Sequence, residues 1–440
     1  MAFSLHGVHV PHRKNTAKSS AVYVDPPKMV TIPMAMHIGA PAKPCVKVGD
    51  LVKVGTLIAE AGGAVSVPMH ASVSGKVVKI IDYLTSAGST VPAIVIESDG
   101  EMAPDDTLTP PVVNSKDSLI EAIKNAGVVG LGGAGFPTHF KLNVDVTKIE
   151  QMIINCAECE PYVTSDTYTM LTRGEDMKNA IEAFKQYMGI DHIIIGIESN
   201  KKAAIKAMMQ LMKDTCQGCK VEVKVLPAKY PQGGEKVMIY HTTGKVVPTG
   251  KLPIDVGCVV LNCTTLAAIG SYLKTGMPLV KKCVTVDGGA VKQPQNVIVP
   301  VGMSMADVFE VCGGLTQEPS KVIYGGPMMG VTVPDTSAPI LKNTNAILAL
   351  SAKETKLPAT TPCIRCGCCT NTCPFGLAPA AIAKAYDQKD AVKLEELSLN
   401  TCMECGCCSF VCPANRPLVQ TNKLAKAFLR EEKAKEGSQS

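Results

Sequence analysis

The sequence predicts a multidomain protein of mixed α/β and α+β class. Residues 31–97 alternate short β-type runs with Gly and Pro, residues 115–275 alternate strand-like with helix-like segments, and one unusual cysteine spacing occurs twice within residues 363–412. The first pattern is typical of a small all-β domain, and the second of a parallel sheet with right-handed crossovers. We expect five parts, with bounds at residues 1–102, 114–275, 276–345, 355–420 and 421–440.

Composition limits the classes of partner and compartment. The 440 residues carry a formal charge of +5, 19% charged residues and no Trp, which does not indicate a nucleic-acid-binding protein. The 19 cysteines include two runs of metal-ligand type, so a reducing compartment, the cytoplasm, is expected. The N-terminus has no signal-peptide pattern, and the most apolar window, residues 257–273, is interrupted by polar side chains. Membrane attachment is therefore expected only through partner proteins.

The N-terminal β domain has a distinctive rhythm. The passage VKVGDLVKVGTLIAEA…VPMHASVSGKVVKI resembles the biotinyl/lipoyl-type barrel-sandwich hybrid. Carriers of that family have a Lys at the hairpin between the two halves, whereas the hairpin here, residues 60–71, has none. The resemblance therefore implies a scaffold rather than a swinging arm. Residues 103–113, rich in Pro and Asp, are typical of a linker.

The middle of the chain predicts an α/β domain. A helix is expected over residues 117–126, followed by a glycine loop. Strands are predicted at residues 149–154, 192–197, 221–226 and 258–261. Helices are predicted at residues 176–188 and 200–213, with a weaker one at 235–241.

Residues 280–325 return to β character and contain one short helix, predicted over residues 304–312 before a Gly-Gly stop. This segment, with its VPVG rhythm, resembles the soluble-ligand-binding β-grasp module. The Lys- and Glu-rich C-terminal end predicts a solvated helix that frays into a tail.

The repeated cysteine spacing is the most specific motif. Both runs have the pattern C-x2-C-x2-C-x3-C-P, which is that of bacterial two-cluster ferredoxins, where the fourth Cys of each run ligates the other cluster. The pattern predicts two [4Fe–4S] clusters, held by Cys363, Cys366, Cys369 and Cys412, and by Cys402, Cys405, Cys408 and Cys373. Structural zinc and disulfides are the alternatives, but zinc sites need neither the third and fourth Cys at these offsets nor the trailing Pro. Cys368 and Cys407 flank ligands, so a one-residue slip of register stays open.

The glycine loop admits two interpretations. Gly130, Gly132 and Gly135 satisfy G-x-G-x-x-G, but a helix rather than a strand precedes the loop, unlike a dinucleotide-binding turn. Glycines let backbone amides approach a phosphate closely, so an anion-binding loop is one interpretation. A packing turn is the other.

Four motifs in a fixed order carry a second resemblance. They are GLGGAGFPTHFKL, then NCAECEP at residues 155–161, YPQGGEK at residues 230–236, and LNCTTL at residues 261–266. The order resembles the FMN- and NADH-binding subunit of respiratory complex I, whose members carry GRGGAGFP…K, N-x-D-E-x-E-P-G, a Gly-Glu-Glu turn and N-N-x-E-T. The resemblance covers residues 130–326 and implies a Rossmann-like FMN/NADH-binding core.

The resemblance also implies roles for individual residues. FMN would lie over Gly130, Gly132, Gly133 and Gly135 with Lys141 nearby, Asn155, Glu158 and Glu160 would face the flavin and nicotinamide, Gly234 and Glu235 would close the far wall, Asn262 and Thr265 would bind phosphate, and Phe136 would stack on the nucleotide. Glu158, Glu160 and Phe136 are the candidate catalytic residues. Three positions depart from the family pattern: Leu131 replaces Arg, Ala157 replaces Asp and Lys236 replaces Glu.

Other cysteines and histidines fit weaker hypotheses. Cys156 with Cys159, and Cys216 with Cys219, form C-x-x-C pairs that could act as dithiols, although neither has a thioredoxin-like context. His6, His9 and His12 are spaced like helical metal ligands, but Gly7 and Pro11 disfavour a helix. A surface segment is the favoured interpretation.

The order of all four domains resembles the RnfC family, a component of the Rnf complex, which is an ion-translocating ferredoxin:NAD oxidoreductase. The start LHGVHVPHRKNT and the ending CPANRPLVQ contribute to this resemblance. It implies an electron-transfer enzyme subunit with two [4Fe–4S] clusters, FMN and NAD(H), peripheral on the cytoplasmic side of a membrane complex, with the other Rnf subunits as partners and ferredoxin reached indirectly. Two alternatives share parts of this layout: a cobalamin-reductase-type flavoprotein of bacterial microcompartments, and an electron-transfer adaptor without nucleotide chemistry.

Overall fold

The computed structural model of the protein describes residues 6–214 and 218–437. Its N-terminal part is all β, as the close spacing of turns predicts. The strands are β1 (Val22–Tyr23), β2 (Met29–Pro33), β3 (Lys43–Pro44), β4 (Leu51–Val52), β5 (Leu57–Glu60), β6 (Met69–His70), β7 (Gly75–Leu84) and β8 (Thr90–Ser98). Two antiparallel sheets, in the orders β2-β8-β7-β4 and β3-β5-β6, enclose a core that includes Met34, Ile58 and Ile94. Residues 103–113 form no strand or helix beyond one isolated bridge at Pro104.

The central domain is an α/β layer structure. Its helices are α1 (Lys116–Asn125), α2 (Thr138–Leu142), α3 (Ser165–Thr172), α4 (Gly174–Met188), α5 (Lys202–Asp214), α6 (Glu235–Thr243) and α7 (Cys263–Thr275), and its strands are β9 (Gln151–Cys156), β10 (His192–Glu198), β11 (Lys220–Leu226) and β12 (Cys258–Asn262). All pairs in the sheet order β11-β10-β9-β12 are parallel, as predicted.

Apolar side chains on both faces explain why this sheet is covered on both sides. Met152 and Ile154 of β9 pack into one core cluster, whereas Ile153 between them packs into another on the opposite face. Alternate side chains of a strand point to opposite faces, so a run of apolar residues is typical of a sheet covered on both sides. The most apolar window, residues 257–273, forms β12 and α7 here. Among the described residues, no helix has the length and apolar character to cross a bilayer.

The third domain is a mixed sheet with one helix packed on it. It contains β13 (Lys281–Asp287), β14 (Gln295–Pro300), α8 (Met305–Val311), β15 (Lys321–Tyr324), β16 (Val331–Val333), β17 (Ala346–Leu350) and the short α9 (Ala352–Thr355). The helix begins where predicted, because the Ser304 hydroxyl accepts a hydrogen bond from the Asp307 amide at 3.1 Å. Strand β1 pairs with β14 and extends this sheet to the order β1-β14-β13-β17-β15-β16.

The C-terminal domain consists of short helices around two cysteine loops. They are α10 (Cys368–Thr372), α11 (Pro379–Asp387), α12 (Ala391–Glu396), α13 (Cys407–Phe410) and the long α14 (Leu418–Gly437). The prediction of a solvated C-terminal helix is wrong for one face of α14, because Ala425 and Leu429 are buried against Ile382 and Leu394.

The chain before β1 lies outside the N-terminal sheets and runs along the central domain. We call residues 8–16 the N-terminal arm. Val8 exchanges two main-chain hydrogen bonds with Tyr230, of 2.8 and 2.9 Å, and both Val8 and Val10 are buried. The favoured surface segment is therefore wrong for these two valines, although His6 and His9 are exposed.

Candidate functional site

A large cavity, of about 460 Å³, opens at the carboxyl ends of β9 and β12. The parallel register of these strands pairs Asn155 with Asn262, so their amide side chains meet at one edge of the sheet. Ligands of doubly wound sheets bind at this edge, and the volume is in the range of small-molecule sites. The cavity is the natural candidate for a cofactor site.

The glycine loop forms one wall of this cavity. Gly132 and Gly133 line it, and a Cβ atom on Gly132 would lie 3.1 Å from the Asn262 amide nitrogen. Asn262 is fixed, because its side-chain oxygen caps α7 by accepting hydrogen bonds from the Thr264 and Thr265 amides at 2.9 and 3.2 Å. A side chain at position 132 would therefore press on Asn262, which its capping hydrogen bonds hold in place.

Buried hydrogen bonds fix the first acidic residue of the opposite wall. The Glu158 carboxylate accepts hydrogen bonds of 2.7 Å from the Asp166 amide, the Thr167 hydroxyl and the Lys201 ammonium. Asp166 in turn accepts hydrogen bonds of 2.7 Å from the Asn262 amide and the Thr264 hydroxyl, and burial raises the pKa of its carboxyl. Glu158 thus lines the cavity while its carboxylate is held by hydrogen bonds inside the protein.

The Glu160 carboxylate faces the third domain. It accepts hydrogen bonds from the Met328 and Met329 amides at 3.1 and 2.9 Å. A Cβ atom on Gly326 would lie 2.2 Å from its Oε2 atom, so the third domain can approach this carboxylate closely only because residue 326 has no side chain. Burial raises the pKa of Glu160 to about 7, which puts its protonation change near neutral pH.

The segment around residues 230–235 closes the far side. The Asn155 amide donates to the Gly233 carbonyl at 2.8 Å, and the Gly233 amide donates to the Cys159 sulfur at 3.2 Å. Glu235 lines the cavity and forms an ion pair with Lys141, which stands behind the wall. No Lys or Arg lines the cavity in the part of the chain that the structure describes.

Two further cavities each gather one of the predicted cysteine sets. The outer cavity, about 270 Å³, is lined by Cys363, Cys366, Cys369 and Cys412. The inner cavity, about 20 Å³, is lined by Cys373, Cys402, Cys405 and Cys408. Each set thus joins three thiols of one run to the fourth of the other, which is the donor set of a [4Fe–4S] cluster. The fit of the inner set rests on these donors rather than on volume.

The two sets differ in exposure. Cys363 and Cys366 are exposed, whereas Cys373, Cys405 and Cys408 are buried. Within the described residues, no three His, Cys, Asp or Glu side chains converge as the ligands of a single metal ion would. Cys368 lines the outer cavity and Cys407 the inner one, so a one-residue slip of register stays open.

One side chain belongs to the walls of two of these cavities. Met403 lines both the large cavity and the inner cysteine cavity. It contacts the far wall closely, since a Cβ atom on Gly234 would lie 2.5 Å from its methyl carbon. The Tyr230 hydroxyl also bridges them, donating to the Cys405 carbonyl oxygen at 2.7 Å. The candidate cofactor site and the inner cysteine set are therefore neighbours.

Comparisons with known protein families cover all four domains. The RnfC barrel-sandwich hybrid domain matches residues 3–101, and the Nuo51 FMN-binding domain matches residues 123–271. The SLBB domain matches residues 283–332, and a 4Fe-4S dicluster domain matches residues 362–416. These matches confirm the predicted fold class and the FMN and iron–sulfur cofactors.

Curated relatives match nearly the whole chain. The C subunit of the Na(+)-translocating ferredoxin:NAD(+) oxidoreductase complex of Acetobacterium woodii is 43% identical, over 87% of this chain and 87% of that protein. The C subunit of the proton-translocating ferredoxin:NAD(+) oxidoreductase complex of Clostridium ljungdahlii is 41% identical, over 94% and 91%. The C subunit of the ion-translocating oxidoreductase complex of Rhodobacter capsulatus is 38% identical, over 99% and 85%.

This chain belongs to the RnfC family. Among solved structures, an NAD+-reducing [NiFe]-hydrogenase in the H2-reduced state overlaps 72% of this chain and 61% of its own, with a TM-score of 0.47 and 18% identity. That overlap is too distant to bear on the site. The placement of individual residues in this RnfC protein therefore rests on its own structure.

The structure brings most of the predicted flavin and nicotinamide residues together. Those lining the large cavity of this RnfC protein are Gly132, Gly133, Asn155, Glu158, Glu160, Gly234, Glu235 and Asn262. Those not on its wall are Gly130, Gly135, Phe136, Lys141 and Thr265.

The residues away from the wall have structural partners. Gly130 and Gly135 close the loop on itself with a main-chain hydrogen bond of 3.0 Å, and the Thr265 hydroxyl accepts from the Leu131 amide at 2.9 Å. The Phe136 ring packs edge-on against Phe140, with centroids 6.0 Å apart. The expected stacking of Phe136 on a nucleotide thus has no support from its position.

The structure describes both cysteines of the first C-x-x-C pair but only one cysteine of the second. Cys156 packs into the helix-covered core, whereas Cys159 packs with Tyr230 and Cys405 in a different cluster, so their thiols face different surroundings. Burial raises the pKa of Cys159, which keeps this thiol protonated. Cys216 lies outside the described residues.

Sequence reasoning missed several residues of the site. Asp166 belongs to none of the four motifs, Met403 lies between two predicted cluster ligands, and Lys14 lies far from the core in sequence. Only tertiary contacts bring these three to the cavity and its supports. The predicted strands at residues 149–154 and 258–261 end just before Asn155 and Asn262, which is the signal in the sequence for this edge of the sheet.

Proposed function

We propose that this chain is the NAD(H)-binding, FMN- and iron–sulfur-containing subunit of a membrane-associated ion-translocating ferredoxin:NAD+ oxidoreductase. Two relatives, 43% and 41% identical, are named as C subunits of ferredoxin:NAD(+) oxidoreductase complexes, and the domains of this chain match FMN-binding and dicluster models. In this role it transfers electrons between [4Fe–4S] clusters and NAD+ through FMN.

The shared wall at Met403 is the observation that supports this function best. A two-electron cofactor and a one-electron cluster must lie close together to exchange electrons, and two cavities that share the wall residue Met403 meet that need. The outer set then lies on the far side, with exposed Cys363 and Cys366 toward the source of single electrons. This order favours an oxidoreductase over an adaptor that lacks a nucleotide site.

The proposed contacts to FMN and NAD(H) follow the cavity wall. Gly132 and Gly133 would allow close approach of the flavin, and Asn155 and Asn262 would orient it with amide groups. FMN supplies the hydride chemistry when bound. The residues Glu158 and Glu160 would face the nicotinamide side, where Glu160 can hold a proton near neutral pH. Lys141 does not line the cavity, so it would act by holding its ion-pair partner Glu235 in place at the wall.

The remaining site proposals concern the clusters and the setting. The swapped cysteine sets are proposed as the ligands of two [4Fe–4S] clusters, with Cys368 and Cys407 as spectators. The partners are the other subunits of an Rnf complex and NAD(H), with ferredoxin acting through those subunits and no nucleic acid involved. The chain would attach peripherally to the cytoplasmic side of the membrane through these subunits.

Anaerobic reconstitution tests the proposal directly. The holoprotein should contain about eight iron atoms and about one FMN per chain, and should oxidise NADH with a dye acceptor. Addition of NADH alone should also produce the electron paramagnetic resonance signal of a reduced cluster. A protein that binds both clusters but neither retains FMN nor reduces a cluster with NADH would be an adaptor, and the proposal would be wrong.

A further inference from the structure

The acidic wall of the large cavity is supported from behind by the N-terminal arm. We call residues 157–164 the acidic loop, because it carries Glu158 and Glu160. The His12 carbonyl accepts a hydrogen bond from the Tyr162 amide at 2.9 Å, and the Thr16 and Thr164 hydroxyls lie 2.5 Å apart. The arm therefore runs along the loop over several consecutive residues.

Lys14 makes the most concentrated contact between the two segments. Its ammonium donates to three main-chain carbonyl oxygens of the loop, those of Glu158 at 2.8 Å, Glu160 at 2.7 Å and Val163 at 2.5 Å. A lysine ammonium has three donors and no acceptor, so all of its donors are used here. One side chain thus gathers the carbonyls of both glutamates and of Val163, three residues further along the loop.

The loop needs such a support because its backbone is unusual. Tyr162 has a φ of 69°, in the left-handed region that non-glycine residues rarely adopt. The Arg13 guanidinium donates to the Tyr162 hydroxyl at 2.6 Å, so a second arm residue contacts the turn. Without the ammonium of Lys14, the three converging carbonyl dipoles would repel one another in a packed site.

Charge adds a second consequence. The cavity wall contains the carboxyl groups of Glu158, Glu160, Asp166 and Glu235 and no basic side chain among the described residues. Lys14 and Lys201 bring ammonium groups to the back of this wall, Lys201 through a 2.7 Å contact with Glu158. A cation there favours electron-rich states of a group held in the cavity.

We propose that Lys14 is a positioning residue of the flavin site, which fixes the acidic loop and so holds Glu158 and Glu160 at the cavity wall. The N-terminal arm is then a working part of the site. This inference rests on the proposed function, because it takes the cavity as the FMN site.

Three variants of the full-length anaerobic holoprotein test it. Lys14→Met keeps an apolar side chain of similar length but has no donor or charge, and Lys14→Ala leaves space that propylammonium can enter. Lys18→Met, at an exposed lysine two residues beyond the arm, is the matched control. Amide hydrogen exchange of residues 157–164, the FMN dissociation constant, the flavin midpoint potential and iron content are measured for each.

We expect Lys14→Met to speed exchange in the acidic loop and to weaken FMN binding by roughly tenfold or more, as for loss of a charged hydrogen-bond donor. The flavin potential should become more negative, iron content should stay unchanged, and propylammonium should restore Lys14→Ala toward wild type. Lys18→Met should match wild type.

Two outcomes would overturn the inference. Unchanged loop exchange in Lys14→Met would show that Lys14 does not position the loop. A parallel loss of iron, flavin and melting temperature, without rescue by propylammonium, would show a general structural role. If the wild type retained no FMN, the proposed function would fail separately, and loop exchange would still decide whether Lys14 positions the loop.

Discussion

A side chain at position 132 would press against Asn262, the residue that caps a helix. The Cβ atom would lie 3.1 Å from the Asn262 amide nitrogen and 3.3 Å from its side-chain carbon, and Asn262 holds the first turn of α7. We expect Gly132→Val to lose FMN, with binding weakened roughly tenfold or more, because valine fills the space between the loop and Asn262. Fluorescence of flavin released on denaturation measures the loss.

Iron content separates this effect from misfolding. It should be unchanged in Gly132→Val, because the cysteine cavities are formed by a different domain. Gly174→Ala is the matched control, since that glycine begins α4 and has space for a methyl group. Wild-type flavin content in Gly132→Val would count against the placement of FMN over the loop.

Glu160 gives a pH dependence at the same scale. Burial raises its pKa from 4.5 to about 7 in the folded chain, so the fold favours the protonated carboxyl. This group does not lower the free energy of unfolding at a pH below its unfolded pKa. As pH rises from there through about 7, the free energy of unfolding falls, because the unfolded chain ionises the carboxyl more readily than the folded chain does. We expect Glu160→Gln to raise the melting temperature by a few degrees at about pH 8 and hardly at all at about pH 5.

The exposed Glu318→Gln should show no such difference between the two pH values. The measurement is the melting temperature of the holoprotein, followed by fluorescence or absorbance. An equal effect of Glu160→Gln at both pH values would mean that this carboxyl does not change its protonation across that range.

Individual side chains show where sequence reasoning ends. The glycine loop, Asn155, Glu158, Glu160 and Asn262 could be found because each belongs to a short motif in a fixed order. Lys14 could not, because its three acceptors lie more than 140 positions away and are main-chain oxygens, which leave no trace in side-chain identity. The expected stacking of Phe136 on a nucleotide stays a prediction, because a motif indicates the course of the backbone but not the direction in which a ring turns.

At the scale of elements, the period at which apolar residues recur and the length of each apolar run were the reliable signals. Strands β9 to β12 and helices α4 and α5 were predicted within a few residues, because each is a buried apolar run or an amphipathic repeat. Helix α3 was missed, since SDTYTMLT has the composition of a loop and the hydrogen bond from the Asp166 amide to the Glu158 carboxylate at its start could not be predicted from the sequence. The docking of α14 was missed because a Lys- and Glu-rich segment hides the small apolar face at Ala425 and Leu429.

The two cysteine loops make a prediction that belongs to elements rather than to single residues. Cys373, at the end of the first loop, lines the inner cavity with three cysteines of the second loop. If these four ligate one cluster, Cys373→Ala should lower iron from about eight to about four atoms per chain. Iron analysis and electron paramagnetic resonance of the reduced protein measure this.

Double variants show which ligands share a cluster. Cys373→Ala combined with Cys405→Ala should lose no more iron than either variant alone, whereas Cys373→Ala combined with Cys366→Ala should lose nearly all of it. Cys368→Ala should keep both clusters if that residue is a spectator. Complete loss in the first pair and half loss in the second would indicate that each run ligates its own cluster.

At the scale of the whole molecule, the four domains are connected around one cavity. The wall combines the glycine loop and Glu158 of the central domain with Tyr324 and Asn343 of the third domain and Met403 of the last. Ser86 of the β7–β8 hairpin reaches the same wall, so the N-terminal domain contributes as well. Domain order could be predicted from local motifs, but this convergence could not, because it depends on contacts between separately folded parts.

The difference in exposure between the two cysteine sets leads to a prediction for the whole molecule. Oxidants reach exposed ligands first, and Cys363 and Cys366 are exposed whereas Cys373, Cys405 and Cys408 are buried. Limited treatment of the holoprotein with ferricyanide should therefore release iron in two phases, of about four atoms each. After the first phase NADH should still reduce the remaining cluster, because the inner set adjoins the large cavity, the proposed FMN site, at Met403. The Cys412→Ala variant, which lacks an outer ligand, should show only the slow phase. If the NADH-reducible signal disappeared in the fast phase instead, the exposed cluster would be the one next to the flavin, and the order of electron carriers argued from Met403 would be reversed.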